Sequence, residues 1–137
     1  MNVSFKISQA ALLKLEESLK KSITKITKEA AVKTYNNIVG GSDFPYWSGS
    51  FISSWKISVG SRDSEYNLAN IPGVFDIPHQ ITDVPGSVHF GERIYITNST
   101  PHAYQVEVLG TPLHPHEGWF TAAHAVNQTV LSYKLKF

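Results

Sequence analysis

Leu12, Leu15, Leu19, Ile23, Ile26 and Ala30 follow one another at steps of three or four residues, and Tyr35 and Ile38 extend the same apolar line. That spacing predicts one long amphipathic helix over Gln9 to Val39, with one face meant for burial beneath the rest of the chain. Ser8 can cap its start, no proline interrupts it, and Gly40-Gly41 ends it where a left-handed residue costs little. At ~1.5 Å per residue the helix is roughly 45 Å long, more than a compact domain of this size needs across its width. Part of it is therefore expected to pack on a neighbouring subunit.

Around this helix the pattern switches to period two. Val3, Phe5 and Ile7 alternate with polar residues and predict a short strand that sits at a sheet edge or joins another chain's sheet. Trp55, Ile57 and Val59 alternate with Ser54, Lys56 and Ser58, which predicts a central strand entered through a short helical turn near residues 48–53. Arg93 to Asn98 predicts a second strand, closed by the turn Asn98-Ser99-Thr100-Pro101. The segment His102 to Gly110 fits two readings: Tyr104, Val106 and Val108 alternate as in a strand, whereas Ala103, Val106, Glu107 and Gly110 suit two helical turns closed by glycine. Thr111 to Gly118 holds two prolines and reads as a loop. Trp119, Ala122, Ala123, Val126 and Val130 then predict a shorter helix, and Tyr133, Leu135 and Phe137 a last strand. Between the two middle strands, Ser61 to Gly91 contains Pro72, Pro78 and Pro85 and shows no sustained period, which predicts an extended loop or arm. The expected fold is α+β: a long amino-terminal helix and a shorter carboxyl-terminal helix packed on an antiparallel sheet, with a long proline-containing arm, in a single domain over residues 1–137.

Composition narrows the chemistry. With 42% apolar residues, the 137-residue chain can bury a core without disulfides or metals. The absence of cysteine removes thiol nucleophiles and thiolate metal sites. No apolar run approaches ~18 residues and the first residues lack a signal-peptide core, so a soluble protein made in the cytoplasm, without membrane contact, is expected. The net charge of +1 conceals an asymmetry: residues 1–40 carry seven lysines against three glutamates, a net of +4, while the remainder carries five cations and eight acids, a net of −3. A lysine-bearing face can meet nucleic acid or an acidic surface, but without interleaved arginine and aromatic residues a solvated face is the simpler reading.

Candidate reactive groups are few. His114-Pro115-His116-Glu117, with His102 and Glu107 nearby in sequence and His79, His89 and His124 elsewhere, is the best metal candidate, yet two imidazoles one residue apart on an extended segment need turn distortion and a third ligand from another element. Interface or solvent-facing histidines, charged near pH 6, are the plainer alternative. Ser48-Gly49-Ser50 does not form a nucleophile elbow, and the glycines at 40 and 41 follow a helix rather than a strand, so hydrolase and nucleotide-loop readings lack support. No cofactor and no enzymatic activity are expected.

Three separated pieces together resemble the tail-completion and neck proteins of long-tailed bacteriophages, which join head to tail. The first is Ser48-Gly49-Ser50-Phe51-Ile52-Ser53-Ser54-Trp55. The second is Ile96-Thr97-Asn98, followed by Pro101-His102-Ala103-Tyr104-Gln105-Val106-Glu107 and Gly110-Thr111. The third is Gly118-Trp119-Phe120 with Ala122-Ala123, and a long helix precedes all three. The family more often has tyrosine before alanine, whereas here Ala103 precedes Tyr104, and the 61–91 segment exceeds what a minimal member needs. The resemblance implies a structural virion subunit that forms a homo-oligomeric, commonly sixfold ring at the head–tail junction. It would contact the tail tube protein and the head connector, with passing contact to viral DNA. The runner-up is a small-ligand or nucleic-acid binding module, or a histidine-based metal-binding protein.

A cyclic ring needs two different sticky surfaces on every subunit. The candidate contact residues are Lys25 and Lys28 on the helix; Phe44, Tyr46 and Trp47 in the turn-rich link, which could equally plug one end of the core; Pro72, Phe75 and Pro78 in the arm; and Glu107, which could pair with a lysine of the next subunit. Trp55, Tyr104, Trp119 and Phe120 are assigned to the core.

Overall fold

In the computed structural model, the described residues are 4, 6, 8–40, 50–66, 78–110 and 118–133. The fold is α+β. Helix α1 spans Gln9–Val39, a single turn α2 spans Ser50–Ser53, strands β1 (Trp55–Val59) and β2 (Ile94–Asn98) pair, a π-helical turn spans Gln105–Leu109, and helix α3 spans Thr121–Ser132. The expected strands near residues 3–7 and 133–137 fall largely outside the described residues.

Both ends of α1 lie where the sequence puts them. Ser8 is extended and its hydroxyl accepts from the Ala11 N–H at 3.1 Å, so one orphan donor of the first turn is satisfied. Thr24 and Thr27 turn their hydroxyls back onto the carbonyls four residues earlier, both at 2.8 Å, so each hydroxyl is satisfied on the helix's own backbone. At the far end Gly40 is right-handed, with φ −95°, and Gly41, the other glycine of the expected stop, lies outside the described residues. Space is the reason for glycine at position 40: a Cβ would run into the Gln80 side chain and the Asn36 carbonyl.

The sheet is a two-stranded antiparallel ribbon with Trp55 opposite Asn98, Ile57 opposite Ile96 and Val59 opposite Ile94. Among the described residues β1 has one partner, β2, and the central position that the alternation predicts for it is not seen there. One face of the ribbon joins Ile57 and Ile96 to a core of Tyr35, Ile38, Val39, Phe51, Ile52, Trp55, Val106 and Ala125. Phe51 and Trp55 meet edge to face at 5.6 Å between centroids, a favourable aromatic arrangement. That core gathers at the carboxyl end of α1.

Among the described residues the apolar face of the amino-terminal half of α1 is left uncovered, contrary to the expectation of a face buried beneath the rest of the chain. Every residue from Ser8 to Ile23 is exposed, and Leu12, Leu15, Leu19, Ile23 and Ile26 each retain at least half of their accessible surface. Periodicity shows that a face is apolar; it does not say which molecule lies against it. No helix among the described residues is long and apolar enough to cross a membrane.

Candidate interaction surface

Polar side chains fix the body around the base of α1. The Asn36 amide takes both backbone groups of Ile81, donating from Nδ2 to the carbonyl and accepting the N–H at Oδ1, each at 2.8 Å. It thereby imitates a strand partner and straps the segment after Pro78 to one side of the helix. Farther along, Lys28 Nζ lies 3.2 Å from Asp83, and Lys20 sits over the Phe90 ring at 5.6 Å. The hydrogen bond from Lys28, with the Val84 N–H, holds the Asp83 carboxyl below the usual carboxylate range. On another side, Thr129 of α3 accepts from Thr34 at 2.8 Å and from Asn37 at 3.2 Å while donating to the Ala125 carbonyl. Burial pushes the Tyr35 phenol up.

The pieces that carry the family resemblance meet in two joints of this body. At the end of β2, Asn98 donates to the Phe51 carbonyl at 2.7 Å and accepts from the N–H and hydroxyl of buried Thr100, tying the strand to α2. At the π-turn, four consecutive backbone N–H groups are received by two residues. Trp119 and Phe120 donate to the carbonyls of Val106 and Glu107 at 2.9 and 3.1 Å, and Thr121 and Ala122 donate to the two Glu107 carboxylate oxygens, both at 3.1 Å. Phe120 precedes α3 in a left-handed conformation, φ 49°, and has no side chain able to cap it. Glu107 supplies that cap from 14 residues away, where its charge also opposes the positive helix terminus. Gly118 permits the approach, since a Cβ there would overlap the Glu107 carbonyl.

These joints place the sequence-predicted residues as follows. Glu107 is engaged within its own chain. Lys28 is paired with Asp83, and Lys25 is 77% exposed with Glu29 at 4.0 Å. Pro78 is half-buried at the start of the strap. Phe44, Tyr46, Trp47, Pro72 and Phe75 lie outside the described residues. Trp55 is buried and Trp119 packs on the core, but Tyr104 is 66% exposed and Phe120 40% exposed, so neither is the core residue that its size suggests. Neighbouring residues of a helical turn point about 100° apart, and at 103–104 it is Ala103 that faces inward. The segment His102 to Gly110, open between strand and helix in the sequence, is helical.

Reactive groups do not converge. The Ser53 and Ser54 hydroxyls both donate to the Ser50 carbonyl, at 3.3 and 2.6 Å. His102 tilts against Phe51, and His79, His89 and His124 are exposed. Among the described residues no three histidine or carboxylate groups could share a metal ion; His114, His116 and Glu117 lie outside them.

Two grooves flank the base of α1. One, of about 700 Å³, lies between the strap and the lysine face, with Lys20, Lys21, Lys25 and Lys28 on its wall beside Asp83 and His89. The other, of about 530 Å³, opens on the side of α3 and β2 and is lined by Ala30, Ala31, Ile94, Ile96, Ala122 and Val126. Its floor of small residues was not read from the sequence, because alanines on a helix face give no signal of a concavity. The surface beside it stays apolar, with Val126, Val130 and Leu131 of α3 between 48% and 72% exposed. No protein-family model, curated protein or solved structure matches the chain.

Proposed function

We propose that this chain is a non-enzymatic structural subunit of a tailed-bacteriophage virion, made in the host cytoplasm, which assembles as a ring at the head–tail junction and joins the tail tube to the head connector. The observation that carries the reading is the bare leucine and isoleucine face of α1: Leu12, Leu15, Leu19, Ile23 and Ile26 are all at least half exposed in a chain that otherwise has a formed core. A face of that length marks a protein–protein contact. The position of the resembling pieces adds support, since they are spent on the Asn98 and Glu107 joints that hold the body and leave the long helix free for assembly. In this reading the groove on the side of α3 and β2 offers the second sticky surface that a cyclic ring requires. The test is electron microscopy of lysates from a phage with a stop codon early in this gene. Filled heads beside separate, unjoined tails are expected; normal infectious particles refute the role.

The lysine-walled groove favours a second reading, a module that binds a polyanion such as nucleic acid. Binding of that kind weakens steeply with salt in proportion to the phosphates neutralised. A titration of duplex DNA at rising salt with no such slope removes it.

A further inference from the structure

We infer that the amino-terminal half of α1 is an assembly arm whose leucine row seats in the groove between α3 and β2 of a second copy of this chain. The stripe has an internal repeat: Leu12 and Ile23, Leu15 and Ile26, and Leu19 and Ala30 are each eleven residues apart. Eleven residues over three turns is 3.67 per turn, close to the period of a straight helix, so the row runs nearly parallel to the helix axis and presents a straight ridge. From Ser8 to Ile23 it is exposed, and no described residue of its own chain buries it. At ~1.5 Å per residue this arm is about 24 Å long, enough to cross the body of a neighbour.

The same chain carries the complementary shape. The groove at the base of α1 is lined by Ala30, Ala31, Ala122, Ile94, Ile96 and Val126, with Glu92 and Arg93 also on its lining, a largely apolar concavity open to solvent. Large residues at the tip of the helix and small ones at its base give ridge and receptor, and a second copy fills both at once. The strap lies against the lysine side of α1 through Asn36, Lys28 and Lys20, and the stripe side faces away from it toward the partner. A lipid surface, by contrast, would fill the ridge but not the groove.

The inference rests on the self-assembly within the proposed function and not on a place in a virion. Because the chain has no cysteine, single cysteines report the contact cleanly. Full-length Leu15→Cys and Val126→Cys chains are mixed and oxidised, with Ser18→Cys replacing Leu15→Cys as a control off the stripe, and the mass of the wild type is measured by light scattering. Expected are a disulfide-linked pair of Leu15→Cys with Val126→Cys, little with Ser18→Cys, and loss of the assembled species in a Leu15→Glu/Leu19→Glu chain that keeps the thermal transition of the body. Ile94→Cys serves as a second receptor position should Val126→Cys not fold. Linkage only between two Leu15→Cys chains, equal linkage from Ser18→Cys, or a monomeric wild type at all concentrations overturns the inference. A linked pair in a closed dimer upholds the arm contact and refutes the ring, whereas a linked pair in a larger cycle upholds both.

Discussion

Replacing Glu107 separates a cap from a contact. In Glu107→Ala the Thr121 and Ala122 N–H groups lose carboxylate acceptors at 3.1 Å, and α3 loses the negative charge at its start. Hydrogen bonds to charged groups contribute about 1.5–3 kcal/mol each, but this site is half-exposed and water replaces part of what is removed, so about 1 kcal/mol per bond is the appropriate scale. The total, about 2 kcal/mol, lies at the upper end of what loss of a helix cap costs. For a domain of this size it lowers the melting temperature by roughly 6–10 °C. Glu107→Gln keeps one neutral acceptor and should lose about half as much. The assay is thermal unfolding followed by far-ultraviolet circular dichroism at several protein concentrations, with the assembled mass measured in parallel. An Ala variant that melts with the wild type while its assembly weakens would refute the cap and restore Glu107 to an intersubunit pair.

Three further outcomes follow from the joints. Gly118→Ala should cost about 1–3 kcal/mol, because its methyl group overlaps the Glu107 carbonyl; the urea midpoint falls with the slope unchanged. Asn36→Ala should accelerate hydrogen exchange at Ile81 and its neighbours by roughly ten- to a hundredfold while leaving α3 protected, since the strap loses both amide bonds. Acid should loosen the same strap. The folded-state pKa of Asp83 is depressed, so its stabilisation is present in full above about pH 4 and is lost as the pH falls through the lowered value; Asp83→Asn should abolish that pH dependence of exchange at Val84.

The regular elements were legible where one local rule governs them. Ser8 announces the start of α1, and the alternation through Trp55, Ile57 and Val59 announces β1. The less legible parts depend on residues distant in sequence. Both patterns over 102–110 are present, and the choice falls to the Gly118–Phe120 backbone, whose N–H groups satisfy the carbonyls of Val106 and Glu107 across the π-turn. The same neighbour sets the start of α3 two residues after Trp119, because left-handed Phe120 cannot continue a helix backwards. Glu107 reads as a solvent or interface acid for a related reason: its partners lie 14 and 15 residues downstream. Size alone points Tyr104 inward, but Ala103 holds the inward position and Tyr104 stays exposed.

The uneven distribution of the core bears on how assembly proceeds. The buried apolar cluster sits at one end of α1, whereas Leu12, Leu15, Leu19, Ile23 and Ile26 at the other end keep half their surface in water. A solitary helical stretch of that length is marginal in water, so the arm depends on being covered. Burying the exposed half of each side chain contributes about 1 kcal/mol, or roughly 5 kcal/mol per arm. Bringing two chains together costs about 4–15 kcal/mol in lost freedom, so one arm in one groove is close to break-even. An open chain of copies always leaves one arm and one groove bare, and closure fills both without a further loss of translational freedom. Assembly should therefore be steep in concentration, with helix content rising alongside it. On serial dilution of the purified protein, ellipticity at 222 nm should fall in step with the assembled mass as the arms fray. A mass that drops while ellipticity stays constant would show that the arm is helical without its partner and that coverage of the stripe does not drive the association.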